Sequence, residues 1–365
     1  MSDVERTLPT RRGVLQGALG SAIGGAIGFG LGAGAVAASA PQAAPPTAPP
    51  AVPPAAAAQP QRVPASGRYQ AGIHLPAVPQ RFGRVAVVNT ELARADWLAA
   101  LGARILDLTG RAEPSDLLPD GPGDLTISVG IGPRLVAAID PSLPGAAELP
   151  RFAGDDNIDP THVGGDVMLS AHSSDPTVLG AVLADLTVLL PGARPRWEQL
   201  IFRGTGEGTK ARNPLGFMDG IVVPRGDAEL KKSVWIGSGA LTGATVCVIR
   251  RLRIDTARFR AQTVDAREAI IGRRLSDGAP LSGGGPDDQV NLTSKTPEGE
   301  YLVPARAHAR GAHPSFTGSG LMFRRSYSFE NEAEAGLVFI SFQSELRTFT
   351  VTQQRLDEVD DLMKY

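Results

Sequence analysis

Arg84–Thr90 (R-V-A-V-V-N-T) is apolar and β-branched, the composition of a strand, and the pattern that follows it sets the architecture. Glu91–Leu108 has helical spacing, with Leu92, Trp97, Leu98, Leu101, Ile105 and Leu108 available for one face. Leu125–Ile131 reads as a second strand closed by Gly132-Pro133, and Arg134–Ile139 as a short helix. Gly164–His172 is a third strand. Pro176–Leu190 is an apolar helix with Asp175 placed to cap it. Arg196–Arg203 is a fourth strand. The order β-α-β-(α)-β-α-β predicts a ferredoxin-like unit.

The rest of the chain has similar ingredients. Gly243–Ile254 alternates Val246, Val248, Leu252 and Ile254 and predicts a strand. Thr256–Arg274 is helical in pattern, and 275–303 reads as loop, rich in Gly, Asp and Pro. Gly320–Glu330 and Leu337–Phe342 are further strands, and Thr350–Tyr365 is a closing helix. The fold class expected is α+β, with a mainly antiparallel sheet in each of two halves. No sequence repeat relates them; duplication is inferred from element order alone. The halves are placed at 67–205 and 206–365.

What precedes residue 67 has a different character. Arg11 and Arg12 stand before Gly13–Ala40, 28 uncharged residues of which nine are glycine, ending A-A-S-A. A charged start, a mild apolar run and small residues at the end predict a secretory signal over 1–40. The arginine pair makes it resemble a twin-arginine (Tat) signal, which implies the Tat translocase as partner and a periplasmic, cell-envelope or extracellular destination. Nine glycines disfavour a membrane-spanning helix. Residues 41–64 hold nine prolines and eight alanines and read as a tether; the linker is set at 41–66.

Composition narrows the chemistry. Of 365 residues, 42% are apolar and the net charge is −2, so nothing makes a footprint for nucleic acid. One cysteine, Cys247, excludes an internal disulfide, a cysteine-based zinc site and a cysteine-ligated iron–sulfur cluster. Gly204–Lys210 (G-T-G-E-G-T-K) fails both the P-loop and the Rossmann spacing. Three segments remain. Gly216–Gly220 (G-F-M-D-G) puts Asp219 in an apolar run. Pro304–Pro314 carries His308, with His313 five residues on. Leu321–Phe329 (L-M-F-R-R-S-Y-S-F) sets Arg324 in an aromatic strand, where an arginine needs an anionic partner. One Asp, one His and one buried Arg together suggest a haem pocket, with histidine as axial ligand.

These segments resemble the dye-decolourising (DyP-type) haem peroxidase family. G-F-M-D-G matches its G-x-x-D-G motif, H-A-R-G-A-H-P resembles its proximal-histidine segment, and L-M-F-R-R-S-Y-S-F its distal-arginine strand. Gly164–Pro176 and the closing helix add to the likeness, which covers about residues 68–365. One departure stands out. The family continues D-G-T-x-N, and here the chain reads Asp219-Gly220-Ile221-Val222-Val223.

The resemblance implies haem b, one per chain, held mainly by the C-terminal half. It implies His308 as proximal iron ligand in preference to His313, and Asp219 as distal acid–base. Arg324 would stabilise charge on the departing peroxide oxygen, Arg325 would be a structural or surface neighbour, and Arg310 would reach a haem propionate. The activity implied is reduction of hydrogen peroxide with oxidation of bulky phenolic or dye-like donors, and a homo-oligomer is allowed. Iron release from haem, as in the deferrochelatase branch, and non-catalytic haem carriage stay open. Tyr69, Tyr301, Tyr327, Trp97, Trp197 and Trp235 are candidate oxidation relays, none singled out. The acceptor for the proximal imidazole N–H is not identified.

Overall fold

The structure is a computed structural model that describes residues 61–91 and 96–365. The signal and most of the linker, and Leu92 of the first predicted helix, lie outside them. The N-terminal half runs β1 (Phe82–Asn89), α1 (Asp96–Gly110), β2 (Thr126–Ile131), α2 (Pro133–Ile139), β3 (Val167–Ser173), α3 (Leu179–Thr187) and β4 (Arg194–Phe202). Its antiparallel strands lie in the order β2-β3-β1-β4, the arrangement the element order predicts. Alternation along β1 decides its two faces. Ala86 and Val88 pack under the helices with Trp97, Leu101, Leu169, Leu179 and Leu183, while Val85 points to the other side.

The C-terminal half begins with the short hairpin β5 (Ala211–Arg212) and β6 (Met218–Asp219), then α4 (Gly226–Ser233) and β7 (Val246–Arg253). Next come α5 (Thr256–Arg260), α6 (Val264–Ile271), α7 (His308–Gly311), α8 (Pro314–Thr317), β8 (Phe323–Arg324), β9 (Tyr327–Glu330), β10 (Ala335–Gln343) and α9 (Leu346–Val359). Strands β9-β10-β7 continue the first sheet through a β4–β9 contact, Phe202 opposite Ser328, and β8 also pairs with β10. On one face Val338, Ile340 and Phe342 join Val85 and Ile201 in a core shared by both halves. On the other, Phe339 and Val248 pack against Phe349 of α9.

Local chemistry moves several predicted boundaries. The helix foreseen from Pro176 starts at Leu179, because Asp175 accepts from the N–H and hydroxyl of Thr177 in a turn instead of capping. Thr256–Arg274 is two helices, broken where the Thr263 hydroxyl caps α6. The final helix starts earlier, at Leu346, and stops at Val359, where Asp360 is its C-cap. The strand 320–330 is two short ones separated by Arg325-Ser326.

At the seam of the halves lies a polar group without a carboxylate. Arg325 is 2% exposed and donates to the carbonyl of Ile73. Tyr327 donates to the Gln80 carbonyl, and the buried His172 ring sits 4.9 Å from the tyrosine ring. Burial pushes His172 down from its ordinary 6.5 to about 3, and the charges of Arg325 and Arg203 add to this. The unfolded chain therefore takes up a proton near pH 6.5 that the folded chain refuses until far lower pH. The stability tied to this group is full above that value and falls as pH drops, by about 1.4 kcal/mol per pH unit. Denaturant unfolding followed from about pH 6 down to about pH 4 should show a flatter stability profile for His172→Phe than for the parent, by roughly that slope. Parallel profiles would show that the imidazole is not held neutral.

Candidate active site

His308 opens α7, a helix of four residues. Its Nδ1 lies 2.6 Å from Asp360 Oδ2, and Asp360 Oδ1 accepts from the N–H of Leu362. The histidine side chain is 39% exposed while the carboxylate side chain is 1% exposed. The ring is thus anchored from behind and presents its Nε2 edge to open space. Two further links tie the segments together: the Asp361 N–H donates to the Arg306 carbonyl, and Arg306 pairs with Asp361 at 2.7 Å. Gly311 lets α7 lie on α9, since a Cβ there would sit 3.1 Å from Leu356. Sequence reasoning left the acceptor open. The aspartate lies 52 residues away, just past a helix end that periodicity alone did not locate.

Asp219 is held on β6 by the turn that follows. Its Oδ1 accepts from the Gly220 N–H at 2.6 Å. Gly220 has φ +78°, and a Cβ there would lie 2.1 Å from the Thr209 carbonyl oxygen, so only glycine fits. The loop that departs from the family pattern is held by other groups. Thr209 donates to the Gly220 carbonyl, Arg225 to that of Ile221 and Arg324 to that of Val222, while Ile221 and Val223 are buried. The missing hydroxyl and amide are thus replaced by backbone acceptors and apolar packing.

Arg324 projects from β8 and places Nη2 3.5 Å from Asp219 Oδ1, both side chains about three-quarters buried. The arginine expected to need an anionic partner has this one. Its charge and that of Asp219 both act on His308, in opposite directions. Burial is the largest single influence on His308 and pulls it down. The charge and hydrogen bond of Asp360 outweigh it, and the net shift is upward. Behind the pair, Arg203, Thr209, Ser326 and Ser328 help line a chamber of about 20 Å³. The Ser326 hydroxyl, buried there without a protein partner, was not singled out by the sequence.

The remaining expected residues go elsewhere. Arg310 donates to the Leu292 carbonyl at 2.7 Å and lies 4.2 Å over the Tyr301 ring, away from the Asp219–Arg324 pair. His313 caps α8, its Nδ1 accepting from the Ser315 N–H. Arg325 is a structural residue of the seam. Arg273 was missed by the sequence. It is a buried guanidinium clamped by the carbonyls of Gly278 and Asp288, pulled down by burial and by the charge of Arg324. Among the described residues no cluster of three or more His, Cys, Asp and Glu could hold a bare metal ion.

An imidazole tethered at Nδ1 and an Asp–Arg pair together fit haem: the histidine would hold the iron, the aspartate would supply an acid–base group and the arginine a cation. The fold and this constellation define a DyP-type peroxidase, and the chain belongs to that family. A family model described as "Dyp-type peroxidase, C-terminal" matches residues 210–365. The chain is 34% identical to a dye-decolorizing peroxidase from Thermobifida fusca over 346 residues, 84% of this chain and 80% of that protein. It is 28% identical to a deferrochelatase from Yersinia pestis over 339 residues, 81% and 77% of the respective chains. The solved DyP-type peroxidase from Cellulomonas bogoriensis matches with a TM-score of 0.74 and 30% identity, covering 84% of this chain and 91% of that one.

The anchoring of His308 can be tested on the ligand-free protein. In Asp360→Asn the two larger upward influences are removed, while burial and Arg324 remain against the smaller pull of Asp219, so the imidazole should titrate below 6.5 instead of above it. Ring-proton chemical shifts followed against pH decide this. An unchanged midpoint would show that Asp360 does not set the basicity of the ring.

Proposed function

We propose that this protein is an exported haem b peroxidase that reduces hydrogen peroxide and oxidises bulky phenolic or dye-like donors. The observation that carries the reading is the largely buried Asp219–Arg324 pair, in a chain whose His308 is tethered at Nδ1 by Asp360. His308 would hold the iron of a bound haem, and Asp360 fixes the tautomer of its ring by accepting from Nδ1. Bound haem supplies an iron centre that takes the oxidising equivalents of peroxide and passes them to the donor. Asp219 takes the proton from the inner peroxide oxygen and returns it to the outer one, so that water leaves. Arg324 offsets the negative charge that builds on that departing oxygen. Its bond to the Val222 carbonyl fixes the guanidinium in advance, and the contact with Asp219 keeps the carboxylate aimed beside it. Arg310 remains the candidate for a haem propionate, an assignment that would require it to leave the Leu292 carbonyl.

The name of the Thermobifida relative supports the dye-like donor class, and that of the Yersinia relatives supports iron release as a second activity of the family. The Asp219–Arg324 pair favours peroxide chemistry over haem carriage, which needs neither proton transfer nor charge stabilisation. A boundary between the halves at 205/206 is supported by the end of β4 at Phe202 and the start of β5 at Ala211.

Three variants test the reading together. His308→Ala should lose haem on purification, whereas His313→Ala should keep it. Arg324→Leu should keep haem and form product from peroxide about 10²–10³-fold more slowly. Haem content by absorbance and stopped-flow rates at matched occupancy are the readouts. Full haem in His308→Ala, or parent rates in Arg324→Leu, would reject the corresponding role.

Export by the Tat route to the periplasm, cell envelope or exterior belongs to the same proposal and is supported by Arg11 and Arg12 before an uncharged, glycine-rich run. Lysine at both positions should leave the full-length protein in the cytoplasm. Normal processing and export of that double variant on fractionation would rule the route out.

A further inference from the structure

A second cavity, of about 1250 Å³, is bordered by none of His308, Asp219 or Arg324. Both edge strands, β2 and β7, contribute to it, together with β1, β3 and β4, the segment at 65–70 and the connection at 143–151. Its wall is apolar and aromatic. Met168, Trp197, Cys247 and Ile249 are half-buried side chains that pack on the shared core and also line the cavity. Tyr69 stacks on Trp235 beside them, ring centroids 3.8 Å apart and planes 5° from parallel. Burial pushes the Cys247 thiol up to about 12, so it contributes apolar surface and no nucleophile.

The charges around this wall are unbalanced. Seven arginines line the cavity against four carboxylates. Arg134 is paired with Asp166, Arg250 with Asp155 and Arg251 with Glu334. Arg196 donates Nη2 to the carbonyls of Pro160 and Val163. The Nε groups of Arg196 and Arg250 are buried and make no hydrogen bond with the protein. Arg68, Arg151 and Arg194 have no carboxylate partner among the described residues, and Arg68 lies over the Tyr69 ring. Unpaired guanidinium donors at the edge of an aromatic wall are complementary to one ligand chemistry, a flat ring bearing an anionic group. The volume is ample for a multi-ring molecule.

We infer that this cavity is a binding site for planar aromatic anions, aromatic carboxylates or sulfonates, separate from the His308–Arg324 space. The ring lies against Trp197 and the Tyr69–Trp235 stack, and the anionic group faces Arg151, Arg194 and Arg196. Aromatic anions fall within the donor class proposed above. Use of the site by electron donors rests on that reading; binding does not, and the two fail separately.

The probe is anthraquinone sulfonate, titrated into the haem-loaded full chain with tryptophan fluorescence and calorimetry as readouts. Expected are saturable binding, quenching that shrinks in Trp197→Phe, and a Soret band that does not move. Arg151 and Arg194 are exposed, so Arg151→Glu with Arg194→Glu leaves the fold in place and should weaken binding by about tenfold or more, with circular dichroism unchanged. Arg347→Glu, an exposed arginine off the cavity, should bind as the parent does. Binding unaffected by the double reversal, an equal loss in Arg347→Glu, a shifted Soret band, or displacement of the probe by dodecanoate at equal or lower concentration would each overturn the inference.

Discussion

The bond between His308 Nδ1 and Asp360 Oδ2 joins two parts of the chain that lie 52 residues apart in sequence. A four-residue helix has no stability of its own, because one turn does not recover the entropy of fixing it. Helix α7 exists where it does because it is held at both ends: Arg306 binds Asp361, and Gly311 lies against Leu356 and Val359 of α9. Asp360 performs two tasks with two oxygens. One stops the chain beyond α9 in a tight turn, and the other orients the imidazole. A single buried carboxylate thus couples the termination of the last long helix to the orientation of the His308 ring. Helix α9 in turn packs through Phe349 on Phe339 and Val248, so the ring is referenced to the sheet itself.

The same sheet positions the opposing groups by alternation. From Phe323 to Phe329 the odd residues, Phe323, Arg325, Tyr327 and Phe329, are buried on the seam and shared core. The even ones, Arg324, Ser326 and Ser328, line the chamber beside Asp219. Two adjacent arginines therefore meet opposite environments. Arg324 finds a carboxylate. Arg325 finds only carbonyls and Gln80, and its charge adds to the burial that keeps His172 neutral at the same seam. A shift of one residue in strand register would exchange them and empty the site of its cation.

Much of this was legible before any coordinates. Period-two and period-3.6 patterns located the main strands and most helices, and element order was enough for the N-terminal sheet. The G-F-M-D-G, H-A-R-G and L-M-F-R-R-S segments located Asp219, His308 and Arg324. What stayed hidden was of another kind. Asp360 could not be paired with His308, because a contact across 52 residues depends on where α9 stops, and that depends on the aspartate's own cap geometry. The partners of Arg310 stayed hidden for a related reason. Two residues before it stands His308, yet Tyr301 and the Leu292 carbonyl, from the preceding loop, contact its guanidinium. The Gly-, Asp- and Pro-rich loop at 275–303 gave no hint that its carbonyls at Gly278 and Asp288 would clamp Arg273.

The loop after Asp219 shows how a motif can change its letters and keep its geometry. A threonine and an asparagine at such positions would stabilise the turn through their own polar atoms. Here Ile221 and Val223 have none to offer, and both are buried. The turn is instead fixed by its backbone: the Asp219 carboxylate accepts the Gly220 N–H, and three side chains from elsewhere, Thr209, Arg225 and Arg324, donate to successive carbonyls. Glycine at 220 is the one requirement that side-chain substitution cannot replace, because the Thr209 carbonyl occupies the position of any Cβ. Arg324 is thus both the cation beside Asp219 and one of the three donors that hold the loop following it. The aspartate and arginine are set at a fixed separation by a bond that belongs to neither carboxylate nor substrate, the one to the Val222 carbonyl.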